Sequence, residues 1–392
     1  MKRVIVFVVG IVLLGLTGSV WAGDTLLKTL QNKGVLTEAE VSAILAEQEA
    51  EGKTALPKAL KGLSVGGQVY MEYSAGDKNY DGTDFNKFSL TRGYINIRKE
   101  INPWFKLRVT PDITQLATGD NAGDFELRMK YYYADILLQD YSFLTDNDLR
   151  IGLGQIPYLE FQEGTNIYRM QGTMFQERFG NFNSADVGIG LLGNFGGKLS
   201  KELQERVGYP TPYAGRYGGY HIGLYDGGGY HATEENQNKV LEWRFTLRPV
   251  PDSTPGLQMT LFGLTGKGNT ADSLQWKSNT LFLSYQNRYA VLTGEYLMGK
   301  GRQDGTNETD NKGFSVFGDF KLAVYDRLSL MVRYDVMDPD TDSGDDEETL
   351  FIGGIGTKIT ANNSILVAYE QRHQDATQDD DKKGQVVFQI NF

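Results

Sequence analysis

The sequence ends on the stretch Gln385-Val386-Val387-Phe388-Gln389-Ile390-Asn391-Phe392. From Val386 onward every second side chain is apolar, and amides occupy the opposite face, with Val387 as the apolar exception. A strand with one apolar and one amide face suits a wall between lipid and water. The edge of a soluble sandwich shows the same alternation, so the rest of the chain must decide between them.

The composition favours β structure. The 392 residues include 22 Tyr, 20 Phe and 47 Gly but only 10 Pro, and such a chain favours strands and tight turns over helices. The absence of cysteine excludes disulfides, thiolate metal sites and covalent attachment of c-type haem. A formal net charge of -11 makes nucleic acid a poor partner for the surface as a whole.

The first 22 residues have the pattern of a signal peptide. A basic start at Met1-Lys2-Arg3 precedes an apolar run from Val4 to Leu16, and Val20-Trp21-Ala22 presents small side chains at the cleavage positions. We expect cleavage after Ala22 and export. A retained membrane anchor is the alternative, although the run is short for a bilayer.

Residues 23–60 contain the helical part of the sequence. Apolar residues recur at helical spacing within 24–51, on both sides of a break at Asn32-Lys33-Gly34. Thr37 followed by Glu40 predicts a capping box at the start of the second helix. This predicts a short helical hairpin or coiled-coil arm, available for self-association or periplasmic contacts. A frayed polar leader is the alternative.

From Leu63 onward the apolar pattern has a period of two, as in Leu241 to Arg248. About sixteen such runs follow, with a range of 14 to 18, and most are long enough to cross a bilayer at a tilt. The predicted strands are 63–75, 86–101, 103–115, 124–139, 147–157, 184–195, 215–226, 239–249, 256–265, 276–286, 288–299, 313–324, 326–337, 348–359, 362–373 and 384–392. Residues 61–392 are therefore predicted to form an all-β, transmembrane antiparallel barrel.

The connections between these strands alternate in length. Short turns at 102–103, 287–288, 325–326 and 361–362 alternate with long polar segments at 76–85, 226–238, 300–312, 338–348 and 374–383. Short turns on one side and long loops on the other are typical of bacterial outer-membrane barrels. Residues 196–214 break the rhythm, which indicates either an insertion on the short-turn side or an error in the strand count.

Two long connections carry charge. Residues 158–183 fall where a loop can fold into the lumen and constrict it, and the charged residues expected there are Glu160, Glu163, Arg169, Glu177 and Arg178. An ordinary outward loop is the alternative. Residues 338–348 are strongly acidic, but their glycine spacing departs from that of a calcium-binding hand loop. We expect a solvated acidic loop there, with loose divalent binding as the alternative.

The lumen-facing positions of the second to fifth strands carry most of the candidate wall charges. These are Arg92, Arg98, Lys106, Arg108, Arg128, Lys130 and Arg150, partly offset by Asp112 and Glu126. If neighbouring strands align, the cations form a patch that favours anions. Salt-bridged charge that only keeps the lumen wet is the alternative.

Enzymatic and metal sites have little support in the sequence. The three histidines, His221, His231 and His373, lie in separate hairpins without ligand spacing. We therefore expect no metal, no cofactor and no enzyme, although His221 on an inward face leaves a hydrolase at the barrel rim as a minor alternative.

Part of the chain resembles a known family. The stretches Leu90 to Ile97, Trp104 to Val109, Leu149 to Pro157, and Gln176-Glu177-Arg178-Phe179 leading into Ser184 to Ile189 look like the phosphate-selective (O and P) porins. This resemblance covers about Phe88 to Leu192. It implies a sixteen-stranded barrel, usually trimeric, with a third loop folded inward and Glu177-Arg178 at its foot. The inward loop lacks a run of arginines and the chain is acidic, so phosphate specificity is not carried over.

These observations together predict an outer-membrane porin of a Gram-negative bacterium that passes small hydrophilic solutes or ions, with a preference for anions. The expected partners are lipid, lipopolysaccharide, two further copies of the chain in a homotrimer, and the assembly machinery. That machinery would read the terminal Phe388, Ile390 and Phe392. A barrel that sheathes a protein partner, such as a haem-bearing electron conduit, is the main alternative.

Overall fold

The computed structural model describes residues 37, 40–42, 60–78, 83–116, 123–208, 215–322 and 327–392. The chain divides into two compact units, Met1–Lys61 and Gly62–Phe392. The predicted signal peptide and most of the predicted arm lie outside the described residues. Within the first unit, Thr37 N donates to Glu40 Oε2 at 2.8 Å and Glu40 N donates to Thr37 Oγ1 at 3.3 Å. The predicted capping box is therefore confirmed.

The second unit is a closed antiparallel barrel of sixteen strands, as predicted. Each strand pairs with its neighbours in the chain, and β1 pairs with β16 to close the sheet. The strands are β1 Leu63–Lys78, β2 Thr83–Asn102, β3 Phe105–Gln115, β4 Phe125–Leu137, β5 Leu144–Gln155, β6 Ala185–Phe195, β7 Gly218–Tyr225, β8 Val240–Leu247, β9 Leu257–Lys267, β10 Gln275–Gln286, β11 Ala290–Lys300, β12 Asp310–Lys321, β13 Leu328–Asp338, β14 Glu348–Lys358, β15 Ser364–Gln374 and β16 Asp379–Asn391.

The terminal strand forms the seam of the barrel. In the β1–β16 register Gln68 lies opposite Asn391 and Val69 opposite Ile390. The terminal residue extends the seam, because Gly67 N donates to the carbonyl oxygen of Phe392 at 2.9 Å. The seam leaves no free strand edge at this point, as a barrel in lipid requires.

Strand β8 shows how the two faces of the barrel differ. Its outward side chains Leu241 and Leu247 are 38% and 46% exposed, whereas the alternate residues Glu242 and Arg244 are 1% and 0% exposed. Apolar groups thus face the surroundings and charged groups face the interior, the reverse of a soluble β protein.

The long connection between β6 and β7 is an insertion, and it does not disturb the strand count. It contains the helix α3, Lys201–Val207, which starts at the N-cap Ser200 and ends at Gly208 with φ 71°. The Ser200 hydroxyl accepts a hydrogen bond from Leu203 N at 3.3 Å. Local cap chemistry therefore defines both ends of this helix.

The predictions of two long loops are wrong. Residues 76–85 and 374–383 were expected to be loops, but β1 continues to Lys78, β2 begins at Thr83 and β16 begins at Asp379. In the second hairpin the polar residues pair across the strands, as His373 Nδ1 and Asp380 Oδ1 do at 2.8 Å. In these two segments the apolar outer face of the barrel stops where the polar residues begin, but the strands continue.

Candidate functional site

The connection between β5 and β6, residues 156–184, lies inside the barrel. It contains the helix α1, Leu159–Thr165, a 3₁₀ turn at Arg169–Gln171, and the short helix α2, Phe175–Arg178. Its apolar side chains pack on the inner faces of β9 and β10, where the ring of Tyr158 stacks on Phe262 with centroids 5.0 Å apart. The aromatic contacts hold the inward loop against one side of the lumen.

Buried amides and a carboxylate fasten both helices of the inward loop to the wall. Gln176 Nε2 donates to Thr280 Oγ1 at 2.9 Å and to Glu295 Oε1 at 2.6 Å. Gln162 on α1 donates to the other oxygen of Glu295. One side chain on β11 therefore anchors α1 and α2 together.

Two buried arginines on the wall hold the backbone of the inward loop. Arg244 Nε donates to the carbonyl oxygen of Pro157 at 2.9 Å, and Arg333 Nη1 donates to that of Thr173 at 2.8 Å. These charges satisfy loop carbonyls that would otherwise be buried without partners.

The inward loop also explains why the apolar Val387 lies on the otherwise polar face of the terminal strand. Val387 faces the interior, is completely buried, and belongs to an apolar cluster that includes Met170 and Phe179 of the inward loop. The neighbouring Gln385 Nε2 donates to the carbonyl oxygen of Gln171 at 3.3 Å.

Opposite the inward loop, tyrosines alternate with cations on the wall formed by β1 to β5. The Arg92 guanidinium lies 5.0 Å from the ring centroid of Tyr70 and 4.7 Å from that of Tyr94. Arg108 lies over Tyr131 and Arg150 over Tyr133, at 4.5 and 4.2 Å. The rings keep these side chains in place through cation–π contacts.

A cavity of about 420 Å³ lies between this wall and the inward loop. Its charged lining residues are Arg92, Arg128, Lys130, Arg169, Arg178, Lys383, Glu72, Asp112 and Glu177. Tyr70, Tyr94 and Tyr230 add aromatic surface. We call this space the lumen cavity.

Glu163 of the inward loop links the loop to the wall. Its carboxylate lies 3.3 Å from Arg92 Nη2 and also pairs with Arg169 Nε. Arg169 in turn bonds Glu177 at 3.0 Å. Burial raises the pKa of Glu163, but Arg169 and Arg92 lower it by more, so that the pKa falls to about 2.

The other arginines that line the lumen cavity are also paired. Arg128 Nη2 lies 2.8 Å from Asp112, and Arg178 Nη1 lies 2.9 Å from Glu370. Lys383 approaches Glu370 at 3.6 Å and Glu72 at 4.0 Å.

Lys130 differs from these cations because its direct contacts are with neutral groups. Its ammonium donates to the Ser184 hydroxyl and lies 3.5 Å from the ring centroid of Tyr230. Within the described part of the chain, no carboxylate oxygen lies within 4.0 Å of the Lys130 ammonium.

The structure brings some of the predicted site residues together and separates others. Arg92, Arg128, Lys130, Arg169, Glu177 and Arg178 share the lumen cavity, with Glu163 bonded behind them. Arg98, Lys106, Arg108, Glu126, Arg150 and Glu160 are not part of its lining.

The residues outside the lumen cavity have their own surroundings. Arg150 pairs with Asp135 at 2.9 Å and Glu160 at 3.4 Å, and Arg108 donates to Asn96 at 2.9 Å. Arg98, Lys106 and Glu126 are exposed. Arg98 and Lys106 lie near the β2–β3 turn, and Glu126 lies near the start of β4.

Sequence reasoning missed several lining residues. Lys383 lies on the same face as Gln385, so extending the period-two pattern by one step would have identified it. Glu370, on an inward face of β15, does not line the lumen cavity but bonds its lining residues Arg178 and Lys383. Tyr230 lies in the β7–β8 connection, where no periodic pattern indicates direction.

The described residues contain no group of three or more histidine, aspartate or glutamate side chains placed to hold a metal ion. His221 lies within β7, is completely buried, and its Nε2 is 3.0 Å from the hydroxyl of Tyr225. It therefore does not lie at the rim, where the hydrolase alternative requires it. Among the described helices, none is long and apolar enough to cross a membrane.

Comparisons with known proteins reveal relatives in structure only. No family model matches the chain, and no curated protein matches it in sequence. The anion-selective porin from Comamonas acidovorans superposes with a TM-score of 0.60 at 12% identity, covering 84% of this chain and 99% of that one. For OmpF of Salmonella typhi, in complex with daunomycin, the TM-score is 0.58 at 10% identity, with 84% and 97% covered.

A trimer form of OmpT from Vibrio cholerae also superposes, with a TM-score of 0.52 at 11% identity and coverage of 84% and 99%. Identities this low establish a shared architecture and do not single out the phosphate-selective porins. The chain therefore has the barrel fold of bacterial porins.

Proposed function

We propose that the protein is an outer-membrane porin through which small hydrophilic solutes and ions diffuse, with a preference for anions. The observation that carries this proposal is the lumen cavity, a space of about 420 Å³ between the inward loop and a wall rich in cations. An apolar outer surface around a charged interior is what a bilayer-spanning channel requires.

The location follows from the same surface together with the sequence. The exposed apolar belt supports contact with lipid, and the predicted signal peptide supports export. Phe388 and Phe392 lie at the closing seam and are 40% and 72% exposed. This placement supports a role for the terminus in assembly, and we extend the proposal to a homotrimer in the outer membrane with lipid and lipopolysaccharide around it.

The preference for anions rests on the charges of the lumen cavity. Its lining contains six cations and three carboxylates, and the carboxylates of Glu163 and Glu370 are bonded to the same cations, which leaves one positive charge in excess. Fixed charges on a narrow wall lower the cost of desolvating an ion of opposite sign. The acidic net charge of the chain does not oppose this, since the local wall charge decides which ion enters.

The sheath alternative is less well supported. A barrel that surrounds a protein partner needs a wide lumen, whereas here the inward loop and its aromatic contacts occupy one side of it.

The test is conductance in a planar bilayer with a KCl gradient, using the purified full-length chain. We expect discrete channel steps and a reversal potential that shows chloride to be more permeant than potassium. An absence of steps would contradict the porin proposal, whereas a potassium-selective channel would contradict only the anion preference.

A further inference from the structure

The charges around the lumen cavity nearly cancel. Its six cations are Arg92, Arg128, Lys130, Arg169, Arg178 and Lys383. The carboxylates bonded to five of them are Glu72, Asp112, Glu163, Glu177 and Glu370. When Lys130 is protonated, six cations and five carboxylates leave one surplus positive charge, which matches a monoanion. Inorganic phosphate carries more charge than this at neutral pH.

We assign the surplus positive charge to Lys130, because its direct contacts are with neutral groups. The side chain is only 2% exposed and lines the lumen cavity, with the Ser184 hydroxyl and the Tyr230 ring as neighbours. A buried ammonium with neutral neighbours gains a strong, charge-assisted hydrogen bond when a carboxylate replaces the hydroxyl.

The same place offers an aromatic contact. Tyr230 comes from the β7–β8 connection and lines the lumen cavity beside Lys130. Arg92 lies over the rings of Tyr70 and Tyr94, and Arg128 lies 5.0 Å from the ring centroid of Tyr230. Among the three tyrosines that line the lumen cavity, Tyr230 is the one in contact with Lys130, so it supplies aromatic surface next to the surplus charge, where a second ring gains from edge contact.

We propose that the lumen cavity is a binding site for aryl monocarboxylates, with Lys130 contacting the carboxylate and Tyr230 contacting the ring. This rests on the proposed function and names its substrate class. A nonaromatic acid of the same charge lacks the ring contact, and a neutral aromatic lacks the contact with Lys130.

The test uses chloride current through the full-length channel in planar bilayers. Benzoate, cyclohexanecarboxylate, phosphate and benzamide are added separately, and the concentration of each that halves the current is measured. We expect benzoate to halve the current at a concentration roughly 3- to 10-fold below that of cyclohexanecarboxylate, because this is the gain in affinity that one aromatic contact provides. Phosphate and benzamide should both be weaker than benzoate.

Two variants separate the two contacts. Lys130→Gln should raise the half-blocking concentration of benzoate roughly 10-fold through loss of the charged hydrogen bond. Tyr230→Leu should bring benzoate and cyclohexanecarboxylate to within about twofold of each other. Lys358→Gln removes the same charge from an exposed position at the β14 end and serves as the matched control, with no change expected.

The outcomes distinguish this inference from the porin proposal. If the channel conducts chloride but benzoate, cyclohexanecarboxylate and phosphate block it equally, the substrate class is wrong and the porin proposal stands. The same holds if Lys130→Gln and Lys358→Gln behave alike. Channel steps from each variant show that it has folded, and Tyr230→Leu tests the ring contact even if Lys130→Gln does not fold.

Discussion

At the residue scale, the lumen cavity consists of cations whose charge is mostly shared. Arg92 and Arg169 converge on Glu163, so neither arginine presents its full charge to the lumen. The sequence identified all three residues, but only the structure shows that they neutralise one another. A count of lumen cations therefore overstates the net positive charge of the lumen cavity.

Glu163→Gln tests this sharing. We expect the chloride-to-potassium permeability ratio to rise severalfold, up to roughly fivefold, because a unit charge within a few ångströms of an ion is worth on the order of 1 kcal/mol. The reversal potential in a KCl gradient measures the ratio. Glu202→Gln, on the exposed face of α3, is the control. An unchanged ratio would show that Glu163 does not offset the wall charge.

The effect of Glu163→Gln should persist in acid. The pKa of Glu163 is held at about 2, below the usual range of a glutamate, so the carboxylate stays ionised well below pH 7. Its contribution to stability is present above the unfolded-state pKa and is lost as the pH falls through about 2. The difference in reversal potential between wild type and variant should therefore be the same at pH 7 and pH 5, and its disappearance at pH 5 would contradict the low pKa.

At the scale of elements, the inward loop depends on the strands opposite it. Its aromatic rings pack against, and its amides donate hydrogen bonds to, residues more than a hundred positions away in the chain. One example is the hydrogen bond from Gln176 to Glu295. The loop can approach β14 closely only because residue 356 is a glycine. A Cβ at Gly356 would lie 2.2 Å from the ring of Tyr168. The Tyr168 hydroxyl thereby reaches Ser329 at 2.8 Å.

Glu295→Ala should loosen the inward loop. It removes the shared acceptor of Gln162 and Gln176, and each of these two hydrogen bonds is worth on the order of 1 kcal/mol. We expect larger and noisier single-channel currents in planar bilayers, with the barrel still folded by its heat-dependent mobility on gels. Glu205→Ala on α3 is the matched control. Quiet currents of wild-type size would show that the aromatic packing alone fixes the loop.

At the scale of the whole molecule, the register between β1 and β16 decides closure. The chain lacks cysteine, so a pair of introduced cysteines reports the register without background. Val69→Cys with Ile390→Cys places the two thiols on directly opposed residues. Opposed residues in an antiparallel pair have Cα atoms close enough for a disulfide.

We expect this pair to crosslink on mild oxidation in the folded barrel, as measured by gel mobility with and without reductant. Val65→Cys with Ile390→Cys is the control, since it shifts the first position by four residues along the strand, roughly 13 Å. Crosslinking of the control but not of the test pair would show that the seam has another register.

Deletion of Phe392 should impair assembly. It removes both backbone hydrogen bonds between Phe392 and Gly67, worth about 1 kcal/mol each, and the terminal aromatic side chain. The folded fraction in outer membranes, measured by heat-modifiable mobility, is expected to fall severalfold. Phe392→Tyr keeps the ring and the bonds and should assemble normally. Normal assembly without Phe392 would show that the terminal residue has no special role.

The sequence by itself determined the barrel. A period of two, sustained over sixteen segments with alternating short and long connections, specifies strands, faces and topology, because each strand pairs only with its neighbours. It also identified the charged face of the wall, since alternation places Arg92, Arg128 and Lys130 on inward positions.

Only the tertiary structure decided which of those charges act together. The path of the inward loop is set by contacts far away in sequence, with Phe282, Glu295 and Arg333, and no local pattern encodes them. The same is true of Tyr230, which reaches Lys130 from an irregular connection. Periodicity specifies a face, but the charge that an ion meets depends on pairs formed across the lumen, and those exist only once the barrel has closed around its loop.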